Sequence, residues 1–503
     1  MGILDSILLG LSVVLMPINI LYCFLGVLFG TLIGVLPGIG PTAAISLLLP
    51  ITFKVPATST LIILAGIYYG AQYGGSTTAI LLNMPGEASS VVTCLDGYQM
   101  ARQGRAGPAL GIAAFGSFIA GILATVGLLL IAPPMAEVAI RFGPPEYASL
   151  MIFGLSMVSL LGKGSTIKSL IMAAFGMLLG TVGLDPIFGQ DRFAFGVLAL
   201  EDGIGLLPIV MGLFGISEIL FNIEVIMETP TLLKGKIRGI LPTLKDWADS
   251  IWSIIRGTFI GFFVGLLPGG GGTLASFISY MVEKRVSKNP EKFGYGAIEG
   301  VAGPEASNNA GAQSAFVPLL SLGLPSNSVT AIMLGAIMIH GIAPGPLLIT
   351  SNPDLFWGVV TSMLIGNAML LVLNLPLIPI WVRVLKIPYS YLFPLIIIFC
   401  VVGSYSTNNN VFDVVVMLIF GLIGYFLRKL NYELAPLVLA VVLGPLFERA
   451  LGQSLKMSDG SFMIFLSRPI SLGFLSGAAL FHLIPYLTKY RKKVRESGFD
   501  DEI

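Results

Sequence analysis

An apolar run that breaks at a proline-glycine pair, and does so twice, constrains this chain more than any other feature. Gly26, Gly30 and Gly34 stand four apart and lead into Leu36-Pro37-Gly38-Ile39-Gly40-Pro41-Thr42-Ala43-Ala44. At an offset of 231, Gly257, Gly261 and Gly265 lead into Leu267-Pro268-Gly269-Gly270-Gly271-Gly272-Thr273-Leu274-Ala275. Nine of the nineteen aligned positions are identical, without a gap. Proline removes a backbone donor and glycine permits positive φ, so each copy reads as an interrupted helix. The peptide groups freed by such a break are costly in hydrocarbon, so the break must face protein or a watery cavity.

Hydrocarbon is the relevant solvent. Only 11% of the 503 residues are charged and mean hydropathy is +0.90, whereas a soluble domain carries roughly 25% charged residues. Apolar runs of membrane-spanning length recur along nearly the whole chain. The class is therefore an all-α polytopic membrane protein; the short alternating segments of a transmembrane barrel are absent. A net charge of +1 gives no case for nucleic acid. Cys23, Cys94 and Cys400 lie far apart without metal spacing, and His340 and His482 are the only histidines, so no metal cofactor is expected. No basic segment precedes the first apolar run, so that run is expected to stay as an anchor.

Taken in order, residues 1–227 form a first repeat half with breaks near 37–41 and 83–87. Residues 228–250 read as a polar linker, and 251–350 as the core of a second repeat with breaks near 268–272 and 324–328. Further spans fill 351–488, and 489–503 form a tail. The count is about twelve spans, within ten to fourteen, because a broken segment either crosses or turns back as a re-entrant hairpin. Lys489, Arg491, Lys492, Lys493 and Arg495 place the C-terminus in the cytoplasm by the positive-inside rule.

The second pair of breaks aligns at an offset of 240, Asn83-Met84-Pro85-Gly86-Glu87 with Gly323-Leu324-Pro325-Ser326-Asn327. Half-helices that meet inside a membrane aim N–H groups at an anion and carbonyls at a cation. The candidate substrate and ion site is therefore Gly38, Gly40, Thr42, Ser76, Asn83, Gly86, Gly269, Gly271, Thr273, Asn308, Asn309, Ser326, Asn327 and Ser328. The amides of Asn308 and Asn309 suit a carboxylate or Na⁺. Simple kinks capped by Thr42 and Thr273 are the structural alternative, as is a helix N-terminus in water capped by Ser307. Gln72, Tyr73, Thr77 and Thr78 line the same cavity or pack helices; Glu87 and Glu305 are proton-linked or exposed. The Gly-x3-Gly stripes read as helix packing.

These residues resemble the large permease subunit of tripartite tricarboxylate transporters, the TctA family. The resemblance rests on Gly34-Val35-Leu36-Pro37-Gly38-Ile39-Gly40-Pro41-Thr42, Tyr73-Gly74-Gly75-Ser76, Pro85-Gly86-Glu87 and Asp96-Gly97-Tyr98 with Gly104-Arg105-Ala106. It continues through Ser279-Tyr280, Glu283-Lys284-Arg285, Phe293-Gly294, Gly300-Val301, Pro304-Glu305-Ala306-Ser307-Asn308-Asn309-Ala310, Leu322-Gly323-Leu324-Pro325 and Pro344-Gly345-Pro346. It covers most of the chain, and motifs in one such order are highly specific. Ser307 and Ser326 depart from the small Ala and Gly expected there.

The resemblance implies secondary active uptake of a di- or tricarboxylate such as citrate across the bacterial inner membrane, driven by H⁺ or Na⁺. It implies three kinds of partner besides membrane lipid: a small TctB-like membrane subunit, a TctC-like periplasmic solute-binding protein and the carboxylate itself. An elevator-type arrangement follows by analogy alone. Phosphate-loop, H-E-x-x-H and G-x-S-x-G motifs are absent, so an enzyme is not expected. An intramembrane enzyme and a passive channel for organic anions are the alternatives.

Overall fold

Proline opens several helices here and a left-handed residue closes others, as the fixed φ of one and the special φ of the other dictate. Pro17 sits in the first turn of its helix, as does Pro353. The computed structural model describes residues 3–36, 40–161, 165–185, 189–225, 239–385, 389–480 and 482–483. Over these residues the regular elements are helices apart from a two-stranded antiparallel ribbon, β1 (Gly183–Leu184) with β2 (Asp191–Arg192). Part of the expected 228–250 linker, together with Gly38 and the 489–503 tail, lies outside the described residues.

Contacts divide the chain into two compact units, Met1–Ile140 with Ile204–Leu430, and Arg141–Gly203 with Asn431–Ile503. Each draws on distant stretches of sequence. In chain order the first unit contributes α1 (Ile3–Val14), α2 (Pro17–Val35), α3 (Gly40–Leu48), α4 (Ala57–Leu82), α5 (Val91–Arg102) and α6 (Ala106–Ala139). The second contributes α7 (Pro144–Leu161), α8 (Thr166–Gly180), the ribbon and the short α9 (Leu198–Glu201).

The first unit resumes with α10 (Leu206–Val210), a π-helical turn Met211–Ile216, α11 (Ser217–Val225) and α12 (Leu244–Leu266). Then come α13 (Gly271–Val286), α14 (Glu299–Ser314), α15 (Phe316–Leu322) and α16 (Ser328–Ile339). It ends with α17 (Leu348–Ser351), α18 (Pro353–Asn374), α19 (Ile378–Val384), α20 (Tyr389–Asn408) and α21 (Val411–Lys429). The second unit finishes with α22 (Ala435–Met457), α23 (Met463–Ser467) and a helix Pro469–Leu480.

Among the described residues seven helices are long and apolar enough to cross a membrane: α2, α6, the continuous Leu206–Glu224 segment, α12, α18, α21 and α22. The protein is an all-α, multi-pass membrane protein. Shorter apolar helices at Leu4–Val14, Gly40–Thr52, Thr166–Gly180, Ser328–Ile339, Phe393–Ser406 and Pro469–Leu480 accompany them.

Two helix pairs position the site, and glycine makes both possible. A Cβ on Gly26 or Gly30 of α2 would stand 2.5 or 2.6 Å from the Ile63 or Ile67 carbonyl oxygen of α4, and one on Gly34 would strike that of Ala71. Gly66, Gly70 and Gly74 of α4 answer with their own bare stripe against α2. On α12, Gly257, Gly261 and Gly265 face the backbone of Gly303, Ser307 and Gly311 on α14 in the same way. Backbones this close gain packing that larger residues forbid, which is how helices associate where lipid competes with every apolar side chain.

The second unit is tied by α8 and α22, where a side chain on Gly176 would collide with the Leu437 carbonyl. Arg192 bonds Glu448 there, and Arg468 bonds Glu146 at 2.9 Å.

Candidate functional site

The described backbone on either side of each break explains the residue types there. The last turn of α2 leads into Leu36 in an extended conformation, and α3 begins at Gly40 with φ of 61°. Likewise α12 leads into an extended Leu267, and α13 begins at Gly271 with φ of 56°, after Gly269 at 79°. Gly40 and Gly271 are equivalent positions of the two copies, and both need the left-handed region that a Cβ disfavours. The other two breaks also match: α4 ends at Asn83 (φ 57°) and α15 at Gly323 (φ 68°), left-handed caps both. Four residues after each stands the N-cap of a capping box, Glu87 with Ser90 and Asn327 with Thr330.

Contacts between breaks run both within and across the sequence halves. The Gly269 N–H donates to the Ser326 carbonyl at 2.7 Å, and Asn327 Cβ lies 3.7 Å from where a Cβ on Gly271 would stand. Gly86 lies against Gly34 and Gly75, where any side chain would collide with backbone. Across the halves, Thr42 Oγ1 and Ser328 Oγ are 3.2 Å apart, and α13 packs on the Ala88–Ser90 turn. Asn327 Nδ2 donates to the Tyr68 hydroxyl at 2.9 Å. The first turns of α3, α13 and α16 are thereby gathered, with their positive dipole ends. Ser326 Oγ is fully buried beside them and has no partner among the described residues.

A second polar cluster lies on α14. This helix carries two glutamates, two asparagines, a glutamine and two serines, yet every residue from Gly300 to Ser314 is buried. Small residues on its neighbours let them enclose it, and buried polar groups must then bond each other. The Glu305 carboxylate accepts Ser76 Oγ at 2.5 Å, Asn308 Nδ2 at 3.1 Å and Thr93 Oγ1. Among the described residues no Lys, Arg or His pairs with it. Asn309 Nδ2 donates to Ser117 Oγ, Asn308 Oδ1 and the Glu305 carbonyl at 2.8, 2.7 and 3.1 Å. A Cβ on Gly272 would stand 3.1 Å from the Asn308 carbonyl oxygen, so α13 starts against this cluster as well.

Of the fourteen candidate residues, Thr42, Gly269, Gly271, Ser326, Asn327 and Ser328 form the first cluster, and Ser76, Asn308 and Asn309 the second. Gly40 begins α3, Thr273 is half-buried in the first turn of α13, and Gly86 supports the end of α2. Asn83 is exposed and serves as the left-handed cap of α4. The alternative with Ser307 as a cap in water is corrected: α14 starts at Glu299, and Ser307, Asn308 and Asn309 are all fully buried.

Sequence reading missed Thr93 and Ser117, single hydroxyls with no local motif. It also missed a cation within the apolar α12: Arg256 makes a two-pronged ion pair with the buried Glu283 of α13, at 3.0 and 2.6 Å, joined by Ser253 at 2.7 Å.

Comparison with known proteins settles the family. The model of the tripartite tricarboxylate transporter TctA family matches residues 20–439. The chain belongs to the TctA family. It is 50% identical over 497 residues to an uncharacterised 52.8 kDa protein from the TAR-I ttuC′ 3′ region of Agrobacterium vitis, covering 98% of this chain and 99% of that one. An uncharacterised protein of Methanocaldococcus jannaschii is 23% identical, across 82% of this chain and 100% of its own length. No solved structure matches.

Membership in the TctA family makes the chain a transporter component, and its motifs acquire physical roles. Asp96 Oδ1 accepts the N–H groups of Gly294, Gly296 and Ala297 at 2.8 to 2.9 Å, while Oδ2 accepts the Tyr280 hydroxyl at 2.9 Å. A side chain on Gly300 would collide with the same carboxylate. Asp96-Gly97, Tyr280, Phe293-Gly294 and Gly300 thus build one clasp joining α5 to the loop that leads into α14. Arg105 bonds Asp246 at 2.6 Å, and Asp246 in turn completes the capping box of Thr243 at the start of α12.

Proposed function

We propose that this TctA-family chain carries out secondary active uptake of a small di- or tricarboxylate, such as citrate, across a bacterial inner membrane. The transport is driven by an ion gradient, H⁺ or Na⁺. A TctC-like periplasmic binding protein delivers the substrate, and a TctB-like small subunit completes the membrane complex. The C-terminus faces the cytoplasm, and the two broken-helix halves are inverted structural repeats that move in elevator fashion.

One observation carries the reading. The first turns of α3, α13 and α16 meet through Thr42, Ser328, Gly269, Ser326 and Asn327, which come from breaks far apart in sequence. Helix N-termini bind carboxylates through backbone N–H groups and dipole ends, without a side-chain cation. Glycine at 269 and 271 leaves that backbone approachable, and Thr42, Ser326 and Ser328 supply hydroxyls that orient the carboxylate. The substrate charge is met by N–H groups and by the co-transported cation, an economy seen in transporters built from discontinuous helices.

The test is uptake of radiolabelled carboxylates into inside-positive and inside-negative vesicles, with the binding protein supplied. Secondary transport requires concentrative uptake that needs the binding protein and collapses with an ionophore. Equilibration that ignores the ionophore identifies a channel, and conversion of the carboxylate identifies an enzyme.

A further inference from the structure

We infer that Glu305 is the group that takes up and releases a proton as the coupling ion, with the Ser76 hydroxyl as its hydrogen-bond switch, and that Na⁺ is not bound there. The inference rests on the transport reading above and names its coupling ion and residue. A fully buried carboxyl with no cation partner among the described residues is a functional candidate on energetic grounds, because its charged form is costly to keep in a low-dielectric interior. Here the geometry goes further, since every neighbour tolerates both protonation states.

Ser76 is the reason. Its Oγ lies 2.5 Å from Glu305 Oε2 and 3.0 Å from the Gln72 carbonyl oxygen, so its single hydrogen has two acceptors. With Glu305 ionised, Ser76 donates to Oε2. When a proton binds, an O–H bond forms at Oε2 and donates to Ser76 Oγ, while the Ser76 hydrogen turns to the Gln72 carbonyl. Thr93 continues to donate to Oε1 and Asn308 to Oε2. The proton is taken from hydronium, whose O–H bond breaks as the Oε2–H bond forms, and release reverses the step and returns the proton to water, so the transfer balances.

The amide orientations argue against a metal cation. The Glu305 carbonyl can only accept, so it fixes Nδ2 of Asn309 toward itself. That nitrogen also meets Asn308 Oδ1, which leaves the Asn308 Nδ2 donor facing the carboxylate. A hard cation needs several converging oxygens; the Asn308 amide turns its N–H, not its oxygen, to the Glu305 carboxylate, and that position is lost to a cation.

A small polar cavity adjoins the site. Ser76 and Ser117 both line a small cavity together with Tyr73, Thr77 and Asn374. Asn374 Oδ1 is buried without a partner, as is Asn309 Oδ1 next to Ser117, so the space is polar enough to hold water.

Other titratable groups around Glu305 are engaged or neutral. The Tyr73 phenol of α4 and the Cys94 thiol of α5 are electrostatic neighbours. Asp96 of α5 is held by Tyr280 and three N–H groups, and Glu283 of α13 by Arg256 of α12. Glu87 accepts the Ser89 N–H in the turn that packs on α14. On α6 and α15 the contacts with α14 are made by neutral residues such as Ser117 and Thr125.

The experiment is infrared difference spectroscopy of the full chain in lipid across a pH titration, beside carboxylate counterflow and proton-movement assays. The inference predicts a protonated-carboxyl band that titrates in the wild type, vanishes in Glu305→Gln and moves in Ser76→Ala. Na⁺ at fixed pH should leave the band in place. Where Glu305→Gln does not assemble, the shifted band of Ser76→Ala decides. No band attributable to Glu305, an unmoved band in Ser76→Ala, or displacement of the band by Na⁺ overturns the inference. Carboxylate flux that moves no protons overturns it too. Absence of any wild-type carboxylate flux refutes the transport reading instead, and the infrared result still decides whether Glu305 binds a proton.

Discussion

Thr42 and Ser328 stand 286 residues apart and bring their hydroxyl oxygens within 3.2 Å. Each lies in the first turn of a helix that follows a break, one in each half of the sequence. Replacing both by cysteine, in a chain whose Cys23, Cys94 and Cys400 are changed to serine, gives a direct test. The double variant Thr42→Cys with Ser328→Cys is expected to close under mild oxidant or a short bismaleimide, and uptake to fall with the cross-linked fraction. Neither single variant should cross-link within the chain.

Gly30 and Gly154 separate packing from propensity. A Cβ on Gly30 would stand 2.6 Å from the Ile67 carbonyl oxygen, whereas one on Gly154 has nothing within 4 Å. Gly30→Ala should destabilise by about 1–3 kcal/mol through overpacking. Gly154→Ala should be neutral or stabilise by a few tenths of a kcal/mol through helix propensity, up to about 1 kcal/mol. Thermal unfolding in one detergent ranks the two, and equal melting points contradict the close approach of α2 and α4.

Asp96 holds three backbone N–H groups on a single oxygen, which orders its variants. Asp96→Ala orphans those donors and the Tyr280 hydroxyl, at a cost above about 3 kcal/mol. Asp96→Asn keeps one acceptor oxygen and should lose far less. Limited proteolysis at residues 287–298 should follow the same order, Ala cut fastest and wild type slowest.

Arg256 and Glu283 form a pair with only one member fully buried, Arg256 being 39% exposed and Glu283 1%. Arg256→Ala leaves a carboxylate buried and unpaired, and should cost about 2–3 kcal/mol, less than a fully buried pair because the cation still reaches water. Removing Glu283 as well should restore much of the loss. A double-mutant cycle on unfolding gives the coupling, and additivity contradicts the pairing.

Helix ends at proline and glycine are readable because both residues act locally: Pro268-Gly269 separates α12 from α13 whatever surrounds it. The glycine stripes were legible for the same reason, a four-residue period being a property of one helix. The polar helix α14 was not. For Glu305, Asn308 and Asn309 the sequence left a site and a helix end in water both open; the flanking helices decide it by burying them, and that burial depends on Gly257, Gly261 and Gly265 of α12. Thr93 and Ser117 gain meaning only from what folding brings to them. Asn83 shows the opposite case, a polar residue in a motif whose observed task is to close a helix in the left-handed region.

The gathering of broken helices into one anion site is the central claim, and Ser326 offers the cleanest handle on it. Its buried hydroxyl has no partner among the described residues, so Ser326→Ala removes no bond seen in the fold. Carboxylate uptake should be measured in vesicles with the binding protein present, for wild type, Ser326→Ala and Ser328→Ala at matched membrane levels. The account predicts normal assembly with uptake lost, or KM raised, in both variants. Wild-type uptake kinetics in both contradict it.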